Sequence, residues 1–117
     1  MLLIRLLRAN QMKLSPKSAL DALQQTDGPF LELFQHGSLN VEIYQPEKVD
    51  LQSPHDRDEI YVIVSGTGKF INGEQIVDFA PGDCLFVPAG VEHRFMDFTD
   101  DFATWVFFYG PEGGESA

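Results

Sequence analysis

Residues 55–93 read HDRDEIYVIVSGTGKFINGEQIVDFAPGDCLFVPAGVEH. Short apolar runs alternate there with turn-forming residues: Gly66-Thr67-Gly68, Asn72-Gly73, Pro81-Gly82-Asp83 and Pro88-Ala89-Gly90. Turn signals at such short, fairly regular intervals predict an antiparallel sandwich or barrel. Asn72-Gly73 is the sharpest of them. Both residues tolerate positive φ, so a type I′ hairpin is expected between Phe70-Ile71 and Gln75-Ile76-Val77. Glu59 to Val64, Cys84 to Val87, Glu92 to Phe98 and Ala103 to Tyr109 supply further strands.

Upstream, Leu31-Glu32-Leu33-Phe34 and Leu39-Asn40-Val41-Glu42-Ile43-Tyr44 alternate with period two, as half-buried strands do. His36-Gly37-Ser38 lies between them as a turn, with His36 exposed. Residues 1–28 read differently, as an arm with one short helix: Ser15-Pro16 is an N-cap followed by proline, and the helix ends near Gln25. The start Met1-Leu2-Leu3-Ile4-Arg5-Leu6-Leu7-Arg8 is interrupted by Arg5 and falls far short of the roughly 20 apolar residues of a membrane span. No cleavage site follows it, and Met12 is an alternative start. The expected organisation is an arm over 1–28, a β domain over 29–110 and a loosely ordered tail over 111–117.

The 117 residues suit a single domain, and 44% hydrophobic content can fill one core. Eighteen acidic against eight basic residues leave a net charge of -10 with no basic cluster, which argues against nucleic-acid binding. The single cysteine, Cys84, reads as a small apolar filler on a buried strand and fits a reducing, cytoplasmic setting. Glu59 to Val64 presents Glu59, Tyr61 and Ile63 on one face and Ile60, Val62 and Val64 on the other. Neither face is polar enough for water, and Ala103 to Tyr109 repeats the pattern with aromatics. A second subunit or the arm should cover the outer side, so a homodimer is expected.

Chemistry concentrates in His55, Glu59 and His93. An extended strand rises about 3.3 Å per residue, so His55 and Glu59 would stand roughly 13 Å apart unless the chain bends between them. Pro54 and Asp56-Arg57-Asp58 suit that bend. Glu59 then opens an apolar strand, where an ionised carboxylate needs a partner or a metal, and His93 is the natural co-ligand. Two imidazoles and a carboxylate form the set that suits non-haem Fe(II); Mn, Ni and Zn are other occupants. Tyr61 shares the Glu59 face and is a candidate acid, base or pocket hydroxyl. Phe86, Phe95, Trp105 and Phe107 are candidates to line an apolar cavity. Asp97, Asp100 and Asp101 lack the spacing of a calcium loop and read as a solvated acidic turn.

The spacing His55, three residues, Glu59, six residues, Gly66, followed by Gly82, five residues, Pro88, any residue, Gly90, two residues, His93, resembles the two motifs of the cupin family. The resemblance covers roughly residues 40–109. It implies an all-β, jelly-roll β-barrel with a short N-terminal helical arm, often dimeric, holding a divalent metal on His55, Glu59 and His93. The sequence departs from the pattern at three places: Ser53 stands where the family has its first histidine, Glu47 where a glycine opens the motif, and Asp97 where an asparagine often ends it. Ser53 thus vacates a ligand position, and Asp97 is a candidate hydrogen-bond partner for a ligand histidine. Two functions are consistent with such a site. One is a metal-dependent enzyme acting on a small molecule, oxygenase chemistry first and isomerase, lyase or hydrolytic chemistry after it. The other is a small-molecule binding or sensing barrel, in which the three side chains form a hydrogen-bonded polar cluster.

Overall fold

A computed structural model describes residues 13–116; the apolar start and Met12 lie outside them. The helix α1 spans Pro16–Leu23. Ser15 caps it by accepting from the Ser18 N–H, while the Ser18 hydroxyl accepts from the Ser15 N–H, both at 3.1 Å. It stops at Leu23, two residues short of the expected end.

Eight strands follow: β1 Phe30–His36, β2 Leu39–Tyr44, β3 Asp58–Ser65, β4 Gly68–Asn72, β5 Gln75–Phe79, β6 Cys84–Val87, β7 His93–Met96 and β8 Ala103–Tyr109. They form a five-stranded sheet, β1-β2-β8-β3-β6, and a three-stranded sheet, β5-β4-β7, with every pairing antiparallel. This is the jelly-roll arrangement of two facing sheets. No helix among the described residues is long and apolar enough to cross a membrane.

The hairpin falls one residue later than expected. Asn72 is still in the ladder, opposite Gln75 and His93, so the two loop residues are Gly73 and Glu74, and only Gly73 has positive φ, at 60°. Glycine at the first loop position is the type II′ arrangement. Gly66 is needed for a different reason: at φ 86° its Cβ would lie 2.5 Å from the Phe102 Cα, so the end of β3 can meet that backbone only through glycine.

The inner faces close on an aromatic core. Phe95, 1% exposed, has ring centroids 4.6 Å from Phe70 and Phe102 and 4.8 Å from Tyr61. It fills the barrel and does not line a cavity. Phe107 is also misplaced by the sequence reading. On β8 the inward residues are Thr104, Val106 and Phe108, with Val106 and Phe108 packed in the inner core. Period two therefore turns Trp105 and Phe107 outward, and Trp105 packs with Leu23, Leu33 and Ile43 beneath α1.

Cys84 is exposed and not a core filler, because on the edge strand β6 alternation turns Leu85 and Val87 into the core and Cys84 and Phe86 outward. The tail is tied down, not loose. The Glu115 N–H donates to Asp58 Oδ2 at 2.8 Å, and the Gly113 N–H to the Asp56 carbonyl at 2.7 Å.

Candidate metal centre

Glu59 enters the barrel because β3 begins one residue earlier, at Asp58, and alternation then turns Glu59, Tyr61 and Ile63 inward. Asp58 is held by the N–H groups of Glu115 and Ala89, which keep its carboxyl below the ordinary carboxylate range. The chain bends at Asp56 and Arg57, as the spacing requires, and His55 folds back over Glu59. The Gly90 N–H donates to the His55 carbonyl at 2.7 Å, so the two motifs are joined through their backbones. His93 opens β7 on the facing sheet.

One ligand atom from each of His55, Glu59 and His93 lies within 4.8 Å of the other two. Glu59 Oε1 is 2.9 Å from His93 Nε2 and 3.8 Å from His55 Nε2. Glu59 is 0% exposed and His93 5%. His93 Nδ1 stands 3.0 Å from the Val91 carbonyl; a carbonyl only accepts, so Nδ1 carries the proton and Nε2 turns its lone pair inward. Both Glu59 oxygens and His93 Nε2 are buried with no hydrogen-bond partner among the described residues.

Lone-pair atoms this close, shut away from water, call for a positive charge between them. The three residues therefore fit a divalent cation. Without one, a proton serves: burial alone would lower the His93 pKa, but Glu59 and the Val91 carbonyl outweigh it and hold the imidazole above its usual value.

The partner expected of Asp97 is supplied by the Val91 carbonyl instead. Asp97 is exposed at φ 53°, beyond the end of β7, because the chain turns there. Ser53 is exposed and lines the cavity wall, and the space near His55 is taken by its neighbour. Gln52 Oε1 lies 3.1 Å from His55 Nε2 and accepts from the Tyr61 hydroxyl at 3.0 Å. Burial first, and then the Glu59 charge, raise the Tyr61 pKa well above the ordinary phenol value, so Tyr61 remains a hydrogen-bond donor.

A cavity of about 770 Å³ opens beside the site, with His55, Gln52, Glu42, Tyr44, Val106 and Phe108 on its walls. Of the three ligands only His55 reaches it; no Lys or Arg among the described residues lines it.

Gln52, Asp50, Glu42 and Phe108 escaped the sequence reading. Glu42 alternates with Val41 and Ile43, a pattern read as a half-buried strand. Here α1 covers the apolar side and the polar side faces the cavity. Burial first, then the Glu32 and Glu59 charges, push the Glu42 carboxyl from 4.5 up to about 7. Glu32, directly opposite on β1, accepts amide N–H groups from Gln35 and Asn40 at 2.5 and 2.8 Å.

The folded state thus binds more protons than the unfolded chain between pH 4.5 and about 7, and stability falls as pH rises through that window. In chelator-treated protein, Glu42→Gln should gain ~1–2 kcal/mol over the parent at mildly alkaline pH, after discounting for solvent screening, and this gain should vanish in acid. Urea unfolding at both ends of the window checks it. A pH-independent difference would contradict the assignment.

Two facing sheets with ligand atoms converging from a loop and two strands define a small jelly-roll protein with a candidate metal-binding site. Residues 40–109 match the cupin domain family, and the chain belongs to that family. It is 34% identical to an uncharacterized protein of Streptomyces coelicolor, over 74% of this chain and 84% of the relative. It is 32% identical to the acireductone dioxygenase of Leishmania infantum, over 80% of this chain but only 32% of that longer protein. A cupin-2 domain protein of Shewanella frigidimarina superposes with a TM-score of 0.61 at 17% identity, covering 78% of this chain and 91% of that one. KdgF from Halomonas sp. superposes at 0.59 with 16% identity, over 70% and 80% of the two chains. At such identities the structural likeness establishes the fold.

Proposed function

We propose that this cupin is a metal-dependent enzyme acting on a small molecule, with Fe(II) as its ion and dioxygen chemistry as its reaction type. The observation that carries the proposal is the set of buried, unpartnered ligand atoms on Glu59 and His93 beside His55. The similarity to an acireductone dioxygenase supports the reaction type. Mn, Ni or Zn would fit the same donors. A divalent ion held by His55, Glu59 and His93 would supply Lewis acidity and, as Fe(II), one-electron chemistry with dioxygen.

The chain's own residues do the rest. His55, Glu59 and His93 fix the ion, and Val106 and Phe108 give the cavity an apolar wall that limits water. Glu42, poised near neutrality, is the wall group suited to give or take a proton. Tyr61, singled out in the sequence, acts as a positioning residue through Gln52. Among the described residues no Lys or Arg lines the cavity wall, and Val106 and Phe108 would hold an apolar part of the substrate.

A homodimer completes the proposal. On the outer face of the large sheet α1 covers the Trp105 side, while Phe86, 48% exposed, sits opposite Ile60, which pairs in turn with Phe107, an apolar row that a second copy would cover.

Protein purified anaerobically without an affinity tag should carry iron near one per chain, run at twice the chain's mass in light scattering, and consume dioxygen when offered a catechol, thiol or keto acid. Metal-free protein that retains a tightly bound small molecule would favour the sensing barrel instead. A monomer mass would remove the dimer.

A further inference from the structure

We infer that Gln52 is the fourth donor of the metal centre, its side-chain amide oxygen replacing the histidine that Ser53 vacates. The inference rests on the three-ligand reading of His55, Glu59 and His93. Donor atoms bound at about 2.0–2.2 Å to one ion stand ~3 Å apart in an octahedral set and ~3.4 Å apart in a tetrahedral one. The observed chain of separations has that scale: 3.1 Å from Gln52 Oε1 to His55 Nε2, 3.8 Å from there to Glu59 Oε1, and 2.9 Å on to His93 Nε2.

The amide is also held with its oxygen facing the site. Gln52 Nε2 donates to Asp50 Oδ2 at 3.0 Å, and a carboxylate can only accept, so the nitrogen must face Asp50 and the oxygen must face His55 and Tyr61. The Tyr61 hydroxyl uses one lone pair of that oxygen, and the second is free for a cation. A neutral oxygen donor in place of an imidazole makes the set harder, which favours ions such as Mn(II) and Fe(II) over softer ones. Since Gln52 also lines the cavity, its oxygen is the donor that would give way to an incoming molecule.

The same 3.1 Å contact has an opposite reading, in which His55 Nε2 carries a proton, donates it to Gln52, and the pair closes the site to cations. The two readings differ in sign. Mn(II) titration of Gln52→Met and Gln52→Ala, with free Mn(II) followed by EPR and folding checked by urea unfolding, separates them. Methionine keeps the length of the side chain but offers only a thioether, which a hard ion avoids. Both variants should bind Mn(II) more than ~100-fold more weakly than the parent, since losing a donor atom exceeds the ~10–100-fold cost of losing a supporting group at a metal site. Affinity that is unchanged or tighter in both would overturn the inference while leaving the three-ligand site intact. A parent protein that takes up no Mn(II) would overturn the three-ligand reading and this inference with it.

Discussion

Replacing Glu59 with glutamine should lower divalent-metal affinity by more than ~100-fold, since losing a direct ligand exceeds the ~10–100-fold cost of losing a supporting hydrogen bond, and it should leave the metal-free barrel at least as stable as before. The second half of this expectation discriminates. Glu59 is fully buried and neither oxygen has a hydrogen-bond partner among the described residues. With chelator, at a pH where no proton sits between Glu59 and His93, a carboxylate in that position is desolvated without a counter-charge, so a neutral amide of the same shape relieves a penalty. If the three residues were instead a hydrogen-bonded cluster in a barrel that needs no ion, removing one partner would destabilise by ~3–5 kcal/mol. The measurement is urea unfolding of parent and variant with chelator and again with Mn(II). The parent should gain stability with the ion, because only the folded state binds it, and the variant should not. A variant markedly less stable in chelator, or one that still gains with Mn(II), would remove Glu59 from the ligand set.

The sequence displayed this site because its ligands fall in spaced motifs bounded by glycines and proline, and those punctuation marks have local causes. Gly66 must pass the Phe102 backbone, and the Pro88-Ala89-Gly90 turn brings the Gly90 N–H to the His55 carbonyl. The strands were legible for the same reason: a turn residue and a period of two are properties of a few neighbouring positions. What could not be read was the side of the sheet that faces inward. Val41 and Ile43 suggest a core and Glu42 suggests solvent, but the apolar side of β2 belongs to α1 and the polar side to the cavity. Which helix covers which face is a tertiary fact. The same ambiguity put Phe107 in place of Phe108. Asp50 and Gln52 were invisible for a different reason, since they sit in the irregular segment between β2 and β3, where no periodicity marks a buried side chain.

Asp50 leads to the largest stability effect expected outside the ligands. It is 1% exposed, and its two oxygens accept four hydrogen bonds: from the Tyr44 hydroxyl at 2.6 Å, the Gln52 N–H at 3.0 Å, Gln52 Nε2 at 3.0 Å and the Phe95 N–H at 2.9 Å. One carboxylate thus fastens the β2–β3 segment to β2 itself and to β7 on the opposite sheet. Asp50→Ala would strand the Phe95 N–H in the interior and take from the Tyr44 hydroxyl its acceptor. Bonds to a charged acceptor are each worth ~1.5–3 kcal/mol, and losses within one network do not add, so a total of ~3–5 kcal/mol is expected in urea unfolding. Asp50→Asn tests the charge and the geometry together. It keeps the volume, but its amide nitrogen must face two of the four donors, so it should cost ~2–4 kcal/mol where a mere space-filling role would cost almost nothing. The functional consequence follows from Gln52, whose amide nitrogen is held by this carboxylate while the Tyr61 hydroxyl meets its oxygen: Asp50→Asn should weaken Mn(II) binding in the protein that remains folded. An asparagine variant as stable as the parent, binding Mn(II) equally well, would mean that the segment carrying Gln52 is fixed by packing alone.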